Sequence, residues 1–270
     1  IVVVDMRGLR GYDEPDLIPF DEVERLGAEH HAADPGRADA LLDAQTLDDT
    51  ALMIYTSGST GKPKGAVITY RNITHVVPGL VARLHLDGEA SSLSYLPLCH
   101  VAEQAMTNFA PLYLGSRISF GESLRTVQSD LREVAPSFFM GVPRIWEKLH
   151  AGIHIKMAET GGWRKALFDR AVRDCTPLAW KPRRDWTLAQ RLRFGLWYLL
   201  VFRALQNFIG LRRAHVAITG AAPISPEILR FFRTIGVPLV EAYGQTETSG
   251  VAIGQAPEDA RPGMVGTAVE

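Results

Sequence analysis

The eleven residues Tyr55–Gly65, YTSGSTGKPKG, follow directly on the apolar run Ala51-Leu52-Met53-Ile54 and constrain this chain more than any other stretch. An apolar strand that empties into a Gly/Ser/Thr loop sets backbone amides and short hydroxyls at the strand's carboxyl end, where phosphates bind in open α/β sheets. Gly58, Gly61 and Gly65 allow the backbone to approach a ligand closely or to take positive φ. Lys62 and Lys64 add positive charge, so the string reads as a polyphosphate loop. It is not a Walker A loop, because Pro63 stands where that motif needs its second glycine. Lys62, preceding a proline, is biased towards extended backbone rather than a helix start. No Gly-x-Gly-x-x-Gly dinucleotide fingerprint occurs here either. A plain surface turn would account for Gly-Ser-Thr-Gly alone, but not for the whole string.

Two further strings occur downstream: Gly220-Ala221-Ala222-Pro223 and Tyr243-Gly244-Gln245-Thr246-Glu247. With Tyr55–Gly65 they match, in order and at plausible separations, three motifs of the adenylate-forming superfamily of acyl-CoA synthetases, luciferases and adenylation domains, which the chain resembles from about Thr46 to Gly266. Leu96-Pro-Leu-Cys-His100-Val-Ala-Glu103 and Gly141-Val-Pro-Arg144-Ile-Trp146-Glu-Lys148 resemble the long-chain fatty acid–CoA ligase branch.

The resemblance implies an α/β fold of two layered βαβ-type subdomains packed together within a larger amino-terminal domain. We expect a first subdomain over 1–120 and a second over 121–243 with a basic helical insertion at about 153–213. A Mg²⁺/AMP-site segment and the start of a β-barrel region would occupy 244–270. The family's ribose-binding aspartate, hinge and mobile carboxyl-terminal domain with its catalytic lysine are not found in this stretch, so the chain reads as an internal fragment, incomplete for the full reaction.

Activation of a carboxylate by ATP brings two anions together, so charge neutralisation comes first. On the resemblance, Thr56, Ser57, Gly58, Ser59, Thr60, Gly61, Lys62 and Lys64 hold the phosphates, and Lys64 adds charge at the departing pyrophosphate. Gly220, Ala221, Ala222 and Pro223 form the adenine-side loop. Tyr243, Gly244, Gln245 and Thr246 complete the nucleotide site, with Tyr243 near adenine and Thr246 at the α-phosphate. Glu247 is the expected Mg²⁺ ligand, a hard-cation carboxylate, with Thr56 a second candidate; standing alone, Glu247 would read as a helix-start carboxylate. His100 is expected near the acyl carboxylate. The catalytic set is thus Thr56, Lys64, His100, Thr246 and Glu247, with ATP, Mg²⁺ and CoA as cofactors and co-substrates and a long-chain fatty acid as substrate. The alternatives are a fatty acyl-AMP ligase loading a carrier protein and, from another class, a non-catalytic nucleotide-binding or membrane-surface module. No Gly-x-Ser-x-Gly elbow supports hydrolase chemistry.

With 270 residues, 46% hydrophobic, the chain can build one large core or two smaller ones. A net charge of −1 argues against a dedicated nucleic-acid binder. Two cysteines, Cys99 and Cys175, give no disulfide framework and fit a reducing cytosol. The charge is uneven: residues 1–50 hold thirteen Asp/Glu against four Arg, whereas 161–213 hold twelve Lys/Arg against three Asp. That basic stretch contains Trp163, Trp180, Trp186 and Trp197, a pattern suited to peripheral contact with the inner face of a membrane.

Alternating apolar runs and helical patterns indicate a mostly parallel sheet covered by helices. Strands are expected near Val2–Asp5 (buried), Leu52–Tyr55, Ser91–Leu96, Arg117–Phe120, Ser137–Gly141, His215–Thr219 and Pro238–Tyr243. Helices are expected over Asp21–Glu29, Asn72–Leu84, Glu103–Tyr113, Leu124–Val134, Arg144–Ala158 and Pro226–Ile235, the last announced by Ser225-Pro226. The apolar run in Trp186–Arg213 is too short to span a bilayer and reads as an amphipathic or buried helix with basic flanks.

Overall fold

A computed structural model describes residues 1–9, 11–12, 14–56 and 61–269. It divides into two compact units, Ile1–Asp49 and Thr50–Glu270. The first contains two short strands, β1 (Val2–Val3) and β2 (Ile18–Pro19), paired in parallel, and two helices, α1 (Phe20–Ala33) and α2 (Arg37–Asp43). The expectation of a buried strand at the start is not met: Val2 and Val4 are exposed, and neither helix buries a residue. Two residues of pairing give few ladder bonds, and the acidic stretch around them supplies little apolar surface to cover them.

The second unit opens with β3 (Thr50–Thr56) and β4 (Lys64–Thr69), an antiparallel two-stranded sheet. The phosphate-loop string therefore joins hairpin strands, which corrects the reading of its strand as a member of an open parallel sheet. Next come α3 (Tyr70–Leu84), β5 (Ser91–Ser94) and α4 (Val101–Glu103). The helix continues through a π-helical stretch, Gln104–Phe109, into α5 (Ala110–Leu114). β6 (Arg117–Phe120) pairs in parallel with β5, and α6 (Val127–Val134) follows. β7 (Phe138–Gly141) leads into α7 (Pro143–Thr160) and α8 (Gly162–Cys175). A long helical rod then comprises α9 (Leu188–Trp197), a π-helical stretch at Tyr198–Phe202 and α10 (Arg203–Phe208). The remaining elements are β8 (Val216–Thr219), α11 (Pro226–Thr234), β9 (Leu239–Gln245), β10 (Gly250–Gly254) and β11 (Thr267–Ala268).

The largest sheet has the order β11-β10-β9-β8-β7, parallel from β7 to β9 and antiparallel beyond. β8 is buried along its whole length, as a strand covered on both faces requires. The β5–β6 ribbon meets β7 through side chains instead of a ladder: Ser91 N donates to Ser137 Oγ at 2.8 Å, and Ser137 N to Ser91 Oγ at 3.0 Å. Ser225 caps α11 as its sequence announces, accepting from Glu227 N at 3.3 Å.

The main core lies where α7, α8, α11 and the 188–208 rod cover the sheet. Trp146 is fully buried there, edge-on to Phe139 and Phe232, and its indole N–H donates to Gly141 O at 2.9 Å. That bond ties the start of α7 to the end of β7. Trp146→Ala is expected to remove about 3–5 kcal/mol of stability, read as a lowered urea midpoint at an unchanged m-value.

Candidate active site

β5, β7, β8 and β9 all end at one rim, and the segments that follow them line a narrow, mostly apolar cavity of about 60 Å³. Leu96 and His100 come from beyond β5, Gly141 and Val142 from the end of β7, Thr219–Ala221 from β8, and Ala242 and Gly244 from β9. Strings far apart in the chain thus meet at the carboxyl ends of strands, where open α/β sheets bind ligands.

Close backbone approach dictates two of these residues. A Cβ on Gly244 would fall 1.9 Å from Gly250 O, and one on Gly220 would fall 2.8 Å from Ala242 O. Ala221 sits at φ +69°, a left-handed conformation that costs a non-glycine residue about 1 kcal/mol or more. Next to it, Thr219 is almost fully buried, and its hydroxyl has no hydrogen-bond partner. A stranded hydroxyl costs roughly 1–3 kcal/mol. Thr219 was not foreseen from the sequence; a lone hydroxyl at the end of the apolar run Val216-Ala-Ile-Thr219, just before Gly220-Ala-Ala-Pro223, is the signal that marks it.

His100 caps α4. Its Nδ1 accepts from Ala102 N at 3.1 Å, so the neutral ring carries its proton on Nε2. The loop bearing it is held by Glu103, 2% exposed, whose Oε1 accepts from Ser94 Oγ at 2.6 Å, Thr107 Oγ1 at 2.9 Å and Tyr95 N at 3.1 Å. Tyr95 in turn donates its hydroxyl to Met140 O at 3.1 Å and accepts from Val142 N at 3.4 Å. Burial pushes the Tyr95 phenol well above its ordinary range, so it stays a donor.

The hairpin adjoins the same region. Ile54 and Ile68 pack with Val101, next to His100, and β4 contacts the 3₁₀ turn Thr246–Thr248. Thr56 and Lys64 are direct cross-strand partners, so the two are brought together. Gly61 takes φ +125°, while Lys62 and Lys64 are exposed. Ser57, Gly58, Ser59 and Thr60 lie outside the described residues. Tyr243 and Gln245 are exposed and bonded to each other through Gln245 Nε2 and the Tyr243 hydroxyl. Ala222 and Pro223 are also exposed and, like Tyr243, do not line the cavity.

Glu247 is exposed on the 3₁₀ turn that follows β9. Among the described residues no group of three or more His, Cys, Asp or Glu could enclose a metal. One accessible carboxylate on the turn that β4 contacts suits Mg²⁺, which binds through one or two carboxylates and otherwise keeps phosphate oxygens and water. The donor present therefore fits Mg²⁺.

The family model described as AMP-binding enzyme matches residues 12–270. The chain belongs to that family. It is 35% identical over 223 residues to the long-chain-fatty-acid–CoA ligase ACSBG2 of Rattus norvegicus, covering 78% of this chain and 33% of the relative. It is 32% identical over 225 residues to a putative fatty-acid–CoA ligase, fadD11, of Mycobacterium tuberculosis, covering 81% and 39%. The chain thus spans about a third of the length of the curated relatives it matches. Among solved structures, a malonyl-CoA ligase complex with methylmalonyl-CoA and AMP superimposes with a TM-score of 0.56 at 24% identity, covering 84% of this chain and 40% of that one. The expected fold class, the layered α/β arrangement of the family's amino-terminal domain, is borne out.

Glu103 holds this rim together, and its removal strands two buried hydroxyls. Glu103→Ala is expected to lower unfolding free energy by about 3 kcal/mol, at roughly 1–3 kcal/mol per stranded group. Glu103→Gln, which keeps an acceptor oxygen, should lose less than half of that in the same urea titration.

Proposed function

We propose that the protein is a long-chain fatty acid–CoA ligase, which condenses a fatty acid with ATP to acyl-AMP and pyrophosphate and then transfers the acyl group to the CoA thiol. The observation that carries this reading is the convergence of His100, Thr219–Ala221 and Gly244 on one cavity at the strand ends, beside the Thr56/Lys64 hairpin. The names of the curated relatives support the substrate class.

In this reading Thr56 and Lys64, opposite each other at the mouth of the hairpin, hold the β- and γ-phosphates, and Lys64 balances charge on the departing pyrophosphate. Gly220–Pro223 takes the adenine edge, with Tyr243 against the ring and Thr246 at the α-phosphate. Glu247 would hold Mg²⁺, with Thr56 a second donor, and the ion supplies charge neutralisation on the triphosphate. His100 presents Nε2–H to the fatty acid carboxylate, a donor fixed by the Ala102 amide on its other nitrogen. The Thr219 hydroxyl gains the partner it lacks from a polar ligand atom. Ligand pockets usually enclose about 300–1,000 Å³, so only one end of a ligand enters the cavity and the remainder lies along the rim.

Glu247→Gln keeps shape and removes charge. ATP–pyrophosphate exchange with a long-chain fatty acid is expected to fall at least roughly a hundredfold in the intact protein, equivalent to about 2.7 kcal/mol. Exchange within threefold of wild type would remove Glu247 from the metal site, and no exchange in wild type would remove the enzyme reading.

Peripheral contact with an anionic lipid surface is part of the same proposal, but the tryptophans do not carry it. Only Trp163 is well exposed; the Trp186 and Trp197 indoles donate inward to Lys181 O and Asp174 Oδ2. Trp180 packs against the core under the Arg233 guanidinium. The supporting feature is a row of leucines along the 188–208 rod. Leu188, Leu192, Leu196, Leu199 and Leu200 recur at three- and four-residue spacing and are each at least 55% exposed. Arg191, Arg193 and Arg203, also exposed, complement an anionic surface. Among the described residues no helix is long and apolar enough to cross a membrane. Vesicles containing phosphatidylserine should sediment the protein, and raised salt or Leu192→Glu/Leu196→Glu should release it. Equal binding to neutral vesicles would rule out the electrostatic part.

A further inference from the structure

His150 and His154 stand one turn apart on α7, with their Nε2 atoms 3.1 Å from each other. Neither lines the cavity described above. The His150 ring meets Phe231 edge-on at 4.6 Å, and the His154 ring packs against Phe231 at 5.2 Å and Phe168 at 5.7 Å. These rings, from α11 and α8, wall the pair on one side. On the other side His154 is exposed and His150 half-buried, so solvent reaches the pair. Burial holds both imidazoles below the usual histidine range, helped for His150 by its neighbour His154 and for His154 by Lys165.

We propose that His150 and His154 form a two-histidine chelate for a late first-row divalent cation such as Zn²⁺ or Ni²⁺, separate from the nucleotide-borne Mg²⁺. Helical histidines four residues apart present two nitrogens to one ion. With nitrogens 3.1 Å apart and metal–nitrogen bonds of about 2.0–2.1 Å, the angle at the ion is about 95–102°, between octahedral and tetrahedral values. In the metal-free pair one Nε2–H donates to the other Nε2. On chelation that proton moves to Nδ1 of its own ring, so both Nε2 lone pairs face the ion and two neutral rings release no net proton. The small ring turn required lies within the broad χ2 range of histidine. The charges of Glu227 near His150 and Asp169 near His154 favour a cation, whereas Lys165, paired with Asp169 at 2.5 Å, opposes it. No third side-chain ligand is grouped with the pair among the described residues, so water completes the shell. Imidazole donors exclude Mg²⁺, which prefers oxygen.

Isothermal titration of the tag-free protein with Ni²⁺ and with Zn²⁺, without nucleotide, tests the assignment. The tightest site should bind one ion per chain and withstand excess Mg²⁺. His150→Ala and His154→Ala should each weaken it by at least about tenfold, the lower end of losses seen even for outer-shell partners. Cys99→Ser should leave it unchanged. His154 is exposed, so His154→Ala keeps the fold, which circular dichroism verifies. Undiminished affinity in His154→Ala, or no binding by wild type, overturns the proposal.

Discussion

A single carboxylate oxygen, Glu103 Oε1, fixes the geometry on which the candidate site depends. It accepts three hydrogen bonds, two from hydroxyls and one from the backbone at the end of β5. A carboxylate buried this deeply is tolerable only because hydrogen bonds replace its hydration. Residues 95–103 are consequently closed into a loop with both ends anchored. His100 rides on that loop, and Tyr95 extends the anchorage to Met140 and Val142 at the end of β7. The position of one exposed histidine is thus determined by groups that never touch a ligand.

The parallel strands supply the other half of the constraint. Because β7, β8 and β9 run in one direction, the segments after Gly141, Thr219 and Ala242 must emerge at the same rim. This much was legible in the sequence. The strands expected at Arg117–Phe120, Ser137–Gly141, His215–Thr219 and Pro238–Tyr243 lie within two residues of those observed, since the last three are short, largely apolar runs and Arg117-Ile-Ser-Phe120 alternates polar and apolar residues. The cap-and-proline signal at Ser225-Pro226 marked α11 for the same local reason.

What escaped depends on contacts distant in sequence. β4, Lys64-Gly-Ala-Val-Ile-Thr69, opens with lysine and glycine and follows Pro63, all poor strand formers; only pairing with β3 makes it a strand. The tryptophans of the basic stretch resemble membrane anchors until tertiary structure shows where their N–H groups go. The leucines beside them look like core until the same packing leaves them outside. His150 and His154 read as ordinary helix residues, because four-residue spacing says nothing of how two rings turn.

Departures from local rules are concentrated at the rim. Among the described residues four non-glycine residues take positive φ, and three of them, His85, Ala135 and Ser249, terminate helices or a 3₁₀ turn, where such a conformation is routine. The fourth, Ala221, follows the end of β8, and Thr219, the one buried hydroxyl without a partner among the described residues, lies two residues before it. Each costs stability that the surrounding packing must offset. The well-packed wall for this is where Phe139, Trp146 and Phe232 meet edge to face in succession with no exposed surface. Strain on one side of the strand ends and dense aromatic packing on the other is the arrangement expected of a site shaped for a ligand, in which unsatisfied groups are held ready and cannot relax on their own.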